Sequence, residues 1–166
     1  SAGTQWNLDP QGTRTLSYLD VKDSKNTNAT DINVVGANCT DSGNNSNWIF
    51  LTPEIDLQRP EDTSLADGST DNVGNQEVGE VEIDYMLDNK AGSADLVITE
   101  ITATNMVNCS NFASWDTPSS VPAGEAYDFY FEFEVGGSGP FSFDVAIANN
   151  DPDENPYNMT VTGTGV

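Results

Sequence analysis

The stretch from Tyr127 to Ile147, YDFYFEFEVGGSGPFSFDVAI, decides the fold. Its first half, up to Val135, places an aromatic or apolar side chain at every second position, mostly with acidic residues between them. The second half repeats this alternation from Phe141 onward, after a break of Gly, Ser and Pro. A period of two is typical of a β-strand with one buried face. The pattern therefore predicts two strands joined as a hairpin by the glycine-rich turn.

The same alternation extends over most of the chain after residue 52. Further strands are predicted at Glu54–Leu57, Val81–Leu87, Leu96–Ala103 and Tyr157–Val161. No window is better explained by the 3.6-residue period of a helix. Six or more strands, separated by Gly, Pro and Asn turns and carrying polar outer faces, predict an all-β fold: an antiparallel two-sheet sandwich.

Residues 1–52 have a different pattern of shorter strand-like pieces between polar turns. These pieces lie at Trp6–Leu8, Leu16–Val21, Ile32–Val35 and Trp48–Leu51. A spacing of about 10 to 16 residues is typical of solenoid coils. We therefore predict two parts, a β-rich N-terminal segment over residues 1–52 and the sandwich over residues 53–166.

The charge balance excludes several classes of partner. The 166 residues include 27 Asp and Glu but 5 Lys and Arg, which gives a formal net charge of −22. Such a chain repels nucleic acid and anionic membranes, and no apolar run is long enough to span a bilayer. We expect neither nucleic-acid binding nor membrane insertion, and a location outside the cell in a medium rich in salt and calcium.

The sequence contains no histidine. This removes the commonest general base and the usual partner of serine and cysteine nucleophiles. Carboxylate pairs are still available, but with 27 acidic residues such pairs arise on a surface by chance. We therefore predict that the protein is not an enzyme.

The two cysteines, Cys39 and Cys109, form an even pair in a chain rich in Asn, Thr, Ser and Gly, as in exported proteins. We predict a disulfide between them, which would stabilise the fold by about 4 kcal/mol. The alternative is two buried thiols. No charged and apolar leader opens the sequence, so we expect that any secretion signal has been removed. Because the chain ends at Val166 directly after a strand-like run, we also expect it to be part of a longer protein.

The segment Asn149–Gly165, NNDPDENPYNMTVTGTG, resembles the closing motif of the bacterial choice-of-anchor D repeat, an immunoglobulin-like module related to the ASH group. The resemblance implies an immunoglobulin-like sandwich over about residues 54–166, acting as a spacer, stalk or adhesive module without catalytic residues. The chain departs from the pattern in an insertion that contains Cys109. Four upstream motifs follow the order of that repeat: EIDLQ at Glu54–Gln58, ADG at Ala66–Gly68, GSADLVI at Gly92–Ile98 and VPAG at Val121–Gly124.

Two stretches of the N-terminal segment resemble the last coils of secreted right-handed β-helix proteins. They are YLDVKDS at Tyr18–Ser24 and TDSGNNSNWIF at Thr40–Phe50. This resemblance implies that the sandwich closes the open end of a solenoid, whose edge strands would otherwise pair with other chains.

The loop from 149 to 155 is a candidate calcium site. It is rich in carboxylate and amide oxygens, the ligands that Ca²⁺ prefers. Asp and Asn also stabilise turns by bonding to their own backbone, so a plain connecting loop is the alternative. A structural Ca²⁺ is the one cofactor considered. The candidate metal ligands are Asn149, Asp151, Asp153 and Glu154.

Two other acidic groups are interpreted as solvated surface. The first is a polar loop containing Asp62, Asp67, Asp71 and Asn72. The second consists of outward carboxylates on predicted strands, which keep a sheet soluble, although they also have the chemistry to bridge adjacent subunits through divalent ions. This second group comprises Glu80, Glu82, Asp84, Asp88, Glu132 and Glu134.

Surface modification and sugar stacking give two further sets of candidates. Trp115 is predicted to lie in a polar loop and is a candidate for stacking on a carbohydrate, whereas Trp48 lies in an apolar run that predicts burial. Five N-x-Ser/Thr sequons mark candidate glycosylation sites, and a bacterial source would leave them bare. They are Asn28, Asn38, Asn44, Asn108 and Asn158.

These observations lead to one functional hypothesis and one alternative. We expect a structural module of an extracellular or cell-surface protein, or of a self-assembling filament. Its expected partners are copies of itself or neighbouring domains, joined by β-strand addition. The alternative is an adhesin-type module that binds carbohydrate or calcium.

Overall fold

The computed structural model describes residues 3–34, 39–50, 52–151 and 153–166. The chain divides into two compact units, Ser1–Leu51 and Thr52–Val166. Both are built from strands and turns, and no helix occurs within the described ranges. Accordingly, the same ranges contain no helix long and apolar enough to cross a membrane.

The strands of the N-terminal unit are short and pair in parallel. Trp6 is opposite Ser24, and Asp20 is opposite Thr40. Each pair joins residues 16 to 21 positions apart, so the chain returns in the same direction after every circuit. The strands are β1 (Trp6–Leu8), β2 (Asp20–Val21), β3 (Ser24–Asn26), β4 (Ile32–Asn33), β5 (Thr40–Asp41) and β6 (Trp48–Ile49).

Buried amides hold the layers of this unit together. Asn26 is fully buried, and its Nδ2 donates to the carbonyls of Thr30 and Asn47 at 2.8 and 3.2 Å. Asn47 Nδ2 donates in turn to the Asn26 carbonyl at 2.8 Å. Buried backbone carbonyls are costly when unpaired, so these asparagines replace hydrogen bonds that a longer ladder would supply.

Sequence periodicity overestimated the strands of this unit. The piece at Leu16–Val21 is a strand only over its last two residues. Trp48 is half-buried rather than buried, and its indole nitrogen donates to the Ser24 hydroxyl at 3.1 Å. Val35 and Leu51, both predicted to lie in strands, fall outside the described residues.

The C-terminal unit contains ten strands in two five-stranded sheets. The first sheet has the order β12-β14-β10-β7-β8, and the second has the order β13-β11-β15-β16-β9. Their ranges are β7 (Asp56–Gln58), β8 (Ser64–Leu65), β9 (Ser69–Gln76), β10 (Gly79–Asp88), β11 (Leu96–Val107), β12 (Cys109–Trp115), β13 (Ser120–Val121), β14 (Ala126–Val135), β15 (Gly139–Asn149) and β16 (Tyr157–Gly165).

This strand order identifies the sandwich type. Neighbouring strands are antiparallel except β16 and β9, which are parallel. The seven main strands, lettered A to G in chain order, are β7, β10, β11, β12, β14, β15 and β16. Their order in the first sheet is then A-B-E-D, and in the second sheet it is C-F-G, as in an immunoglobulin domain. The chain is therefore all-β with an immunoglobulin-like antiparallel sandwich, which confirms the predicted fold class.

The predicted hairpin between the two aromatic stretches is wrong. β14 pairs with β10 and β12 in the first sheet, whereas β15 pairs with β11 and β16 in the second. Their glycine-rich connection therefore crosses from one sheet to the other. Phe133 consequently meets Phe141 and Phe143 across the core, with ring centroids 5.5 and 4.9 Å apart. Facing sheets bury both apolar faces against each other, which side-by-side strands would not do.

The interpretation of Asp71 as part of a solvated loop is also wrong. It lies in β9 and is 6% exposed. Arg59 Nε and Nη2 donate to its carboxylate at 2.5 and 2.6 Å, and the Tyr85 hydroxyl donates at 2.8 Å. Burial, together with the negative charge of Asp71, raises the pKa of Tyr85. Because Tyr85 belongs to β10, these contacts fasten one sheet to the other.

The structure does not confirm the predicted disulfide between Cys39 and Cys109. Cys39 belongs to the N-terminal unit, whereas Cys109 begins β12 of the sandwich. Cys109 Sγ donates to the Ser142 carbonyl at 3.3 Å, and burial raises the pKa of its thiol. An even cysteine count in an exported composition does not by itself determine whether two residues form a disulfide.

Removing the central ring of the core should be costly. Phe133→Ala is expected to lower the free energy of unfolding by about 3–5 kcal/mol, because the cavity lies where the two sheets meet. Tyr127→Ala changes the same strand at a side chain that is 45% exposed, and should cost less than about 1 kcal/mol. Urea denaturation followed by fluorescence measures both, and equal losses would contradict this account of the core.

Candidate functional site

The loop between β15 and β16 uses its first asparagine for structure. Asn149 Nδ2 donates to the carbonyls of Ile147 and Glu154 at 3.0 and 2.9 Å. Its Oδ1 accepts the backbone N–H of Asp151 at 2.7 Å. The amide of Asn149 is therefore engaged within the loop and shapes the turn.

Two of the predicted ligands meet a third carboxylate that sequence analysis missed. Single carboxylate oxygens of Glu54, Asp151 and Glu154 lie within 4.8 Å of one another. Asp151 is only 1% exposed, and its Oδ2 accepts the N–H of Ile55 at 2.9 Å. Glu54 thus joins the group because Asp151 anchors the start of the first sheet. Asp153 is exposed and lies outside this carboxylate cluster.

Electrostatic repulsion within the carboxylate cluster favours a bound proton or cation. Burial, followed by the charge of Asp151, raises the pKa of both Glu54 and Glu154. A hydrogen bond with the Asp151 carboxyl raises the pKa of Asp153. Oxygen ligands at this separation have the chemistry to hold Ca²⁺, which would neutralise the mutual repulsion.

The outer face of the first sheet is a second candidate site. Glu80 is directly opposite Glu134, and Glu82 is directly opposite Glu132, on β10 and β14. Like charges at directly opposed positions destabilise a sheet. We name the outward carboxylates of these two strands the acidic face. It consists of Glu80, Glu82, Asp84, Asp128, Glu132 and Glu134.

Two aromatic side chains adjoin the acidic face. Trp115 lies at the end of edge strand β12, not in a loop, and is 49% exposed. It is directly opposite Tyr130 of β14, which is opposite Asp84 of β10. Directly opposed residues share one face of a sheet. An exposed indole beside carboxylates is suited to a cationic group or to the apolar face of a sugar.

The sequon asparagines that the structure describes already donate hydrogen bonds. Asn108 has a structural role that the sequence did not reveal, because its carbonyl accepts the N–H of Gly136 at 3.0 Å and so holds the connection between the sheets. Asn38 lies outside the described residues. The Nδ2 contacts are Asn28 to Asp9 (3.1 Å), Asn44 to Asp23 (2.6 Å), Asn108 to Gly137 (2.8 Å) and Asn158 to Pro156 (2.7 Å).

Comparison with known proteins finds partial structural matches but no family. The sequence matches no protein-family profile and no curated protein. The secreted serine protease VesC from Vibrio cholerae has a TM-score of 0.46 at 10% identity, and the match covers 69% of this chain and 23% of VesC. The ASH/PapD-like domain 7 of human CEP192 has a TM-score of 0.47 at 10% identity, and the match covers 69% of this chain and 87% of that domain. WR4, a C. elegans MSP family member, has a TM-score of 0.38 at 11% identity, and the match covers 68% of this chain and 97% of WR4.

The carboxylate cluster should make stability depend on pH. A carboxyl whose pKa is higher in the folded than in the unfolded chain binds more protons when folded, so its ionisation destabilises the fold as pH rises through that pKa. In chelator at pH 7, Glu154→Gln should therefore raise the melting temperature by about 1–3 °C. The gain should vanish at about pH 3, well below the ordinary pKa of glutamate, where Glu154 is protonated in both states.

Glu100→Gln, at an exposed carboxylate of β11, is the matched control and should leave the melting temperature nearly unchanged at both pH values. Thermal unfolding followed by circular dichroism measures all three proteins. A loss of stability in Glu154→Gln at pH 7, or a gain that persists undiminished at low pH, would contradict the repulsion described for the cluster.

Proposed function

We propose that this chain is a non-catalytic structural and interaction module of an extracellular surface protein or filament. The observation that carries the proposal is the parallel stacking of short strands in the N-terminal unit. β1 lies on β3, and the bridge between Lys25 and Ser46 adds a further layer. Stacks of this kind gain stability from each neighbouring layer and are used to build elongated proteins.

The finer identity of the two units is part of this proposal. We assign the N-terminal unit to the coils of a β-helix-like solenoid, supported by pairing that is parallel throughout its named strands. We assign the sandwich to the choice-of-anchor D type of repeat, supported by its motifs and its strand order. In such a protein the sandwich serves as a spacer or stalk, and the outer edges of the stack bind further strands.

The charge supports an extracellular location and a dependence on cations. With a net charge of −22, neighbouring modules repel one another unless ions screen or bridge their carboxylates. The acidic face and the carboxylate cluster are the places where divalent ions would act. Assembly of this protein is therefore expected to require salt or calcium.

A second candidate function is an adhesin-type module that binds carbohydrate. It is favoured by one observation: the exposed Trp115 is directly opposite Tyr130 on the outer face of the first sheet. Aromatic rings presented this way offer an apolar platform to a sugar ring. Ca²⁺ at the carboxylate cluster would belong to the same function by ordering the nearby loop.

Assembly is tested by electron microscopy and light scattering on the purified protein, with Ca²⁺ and then with chelator. We expect filaments or larger assemblies in Ca²⁺ that dissociate when the ion is removed. Glu54→Gln combined with Glu154→Gln tests the carboxylate cluster, with Glu100→Gln as control. Monomers under every condition would exclude self-assembly, and a calcium effect unchanged by the double substitution would place the ion elsewhere.

Carbohydrate binding is tested with a glycan array and Trp115→Ala. If the platform binds sugar, this substitution should weaken binding about tenfold or more, because the stacking surface is lost. Val107→Ala removes an exposed apolar side chain from another strand and serves as the control. An array without signal for the unmodified protein would exclude this second function and leave the first unaffected.

A further inference from the structure

One half of strand β10 has an open edge. β10 pairs with β14 along its whole length, from Gly79 to Asp88. On its other side it pairs with β7 only from Met86 to Asp88. Among the described residues no strand lies on this side before Met86, because the chain turns after Gln58 to form β8 and then crosses to β9 in the second sheet.

The open edge exposes backbone hydrogen-bonding groups. Asn89 follows β10 and donates its N–H towards the neighbouring strand, to the Glu125 carbonyl at 2.9 Å. Backbone N–H and C=O groups alternate in direction along a strand, so the backbone groups of Leu87, Tyr85 and Ile83 also point to β14. The N–H and C=O groups of Glu82 and Asp84 therefore point the opposite way, to the side that β7 does not cover.

A groove of about 440 Å³ lies at this edge. The turn from Gln58 to Glu61 lines it together with residues 82–86 and Asp128. Ile83 lines the groove and is only half-buried, although the other core-facing side chains of β10 are buried. The apolar core is thus incompletely covered where a further strand would lie.

The groove carries negative charge. Its one cation, Arg59, is already neutralised by Asp71, an ion pair with an N–O distance of 2.5 Å. The other ion pair in the described part of the chain joins Lys90 to Asp88. The four carboxylates of the groove outnumber its one cation, although Lys90 also attracts Glu61 electrostatically. They are Glu61, Glu82, Asp84 and Asp128.

We propose that the open edge of β10 at Glu82–Asp84 accepts an extended basic segment of another protein as an additional strand. In such a strand, outward lysine or arginine side chains lie opposite Glu82 and Asp84, and the apolar residue between them covers Ile83. Strand addition supplies affinity through main-chain hydrogen bonds and specificity through alternate side chains. A second copy of this chain has a net charge of −22, so the negatively charged groove would repel it.

Charge on an edge strand also protects proteins from aggregation, but the direction of these side chains favours selection of a partner. The carboxylates of Glu82 and Asp84 stand perpendicular to the sheet, whereas the open backbone groups lie in its plane. They repel acidic chains and attract basic ones without covering the hydrogen-bonding groups. The proposal rests on the proposed role as an interaction module, for which it names the acceptor edge and the chemistry of the partner.

The first test uses a synthetic seven-residue peptide of alternating lysine and valine and measures amide hydrogen exchange by NMR. Saturating peptide should slow exchange at Glu82 and Asp84 by about tenfold or more, as new hydrogen bonds protect these amides. The amides of Ile83 and Tyr85 already face β14 and should change little. Peptides with glutamate in place of lysine, or with the lysines and valines grouped instead of alternating, should give no protection.

Asp84→Pro tests the edge itself. Proline removes the N–H that faces the open side and is tolerated on edges, so the ladder with β14 is kept. Peptide affinity, measured by calorimetry, should fall about tenfold or more, corresponding to the loss of at least 1.4 kcal/mol. Asp84→Asn keeps the backbone and should reduce affinity less. Glu134→Gln removes a carboxylate of the acidic face that does not line the groove and should have the smallest effect.

Several results would overturn the proposal. One is slower amide exchange confined to strands other than β10. Another is an equal loss of peptide affinity in Asp84→Asn and Glu134→Gln, without slower exchange on β10. The third is unchanged peptide affinity in an Asp84→Pro protein that folds. If Asp84→Pro does not fold, the amide exchange of the unmodified protein with peptide decides whether the open edge of β10 is the binding site. Because the assembly test uses no peptide, failure here leaves the structural role standing, and failure of assembly leaves the acceptor edge standing.

Discussion

The contact of Phe133 with Phe141 and Phe143 is the interaction on which the sandwich depends, because it joins two strands that are adjacent in sequence but lie in opposite sheets. A short glycine-rich connection sets the two apolar faces against each other, and the remaining strands pair outward from β14 and β15. Asn108 holds that connection. The core of the second unit is therefore organised around one sheet-to-sheet crossing and its aromatic rings.

Because apolar and aromatic residues fill this core, the charged residues of its strands lie mostly on the outer faces of the sheets. Every second residue of β14, and of β10 as far as Asp84, lies on the outer face, and most of these residues are acidic, so one face of the first sheet concentrates negative charge. The chain also has to pass from the first sheet to the second before β9, and this passage leaves part of β10 without a neighbouring strand on one of its two sides. The acidic face and the open edge are thus two consequences of one topology.

The sequence predicted the strands that have one apolar face, because a period of two is a local property. It did not predict β9 or β12, whose polar compositions resemble loops and whose pairing depends on distant residues. Local alternation also could not show that β14 and β15 belong to different sheets. Glu54 was missed at the carboxylate cluster for the same reason, since it meets Asp151 only after the first and last parts of the sandwich have come together.

The parallel pairing of β9 with β16 has a mechanical consequence. Six residue pairs, from Ser69 with Met159 to Gln76 with Gly165, connect an early strand of the sandwich to its last. When the two ends of this unit are pulled apart, parallel strands are loaded in shear, and their hydrogen bonds share the force instead of breaking one after another. A module built in this way resists tension along its chain without a covalent crosslink.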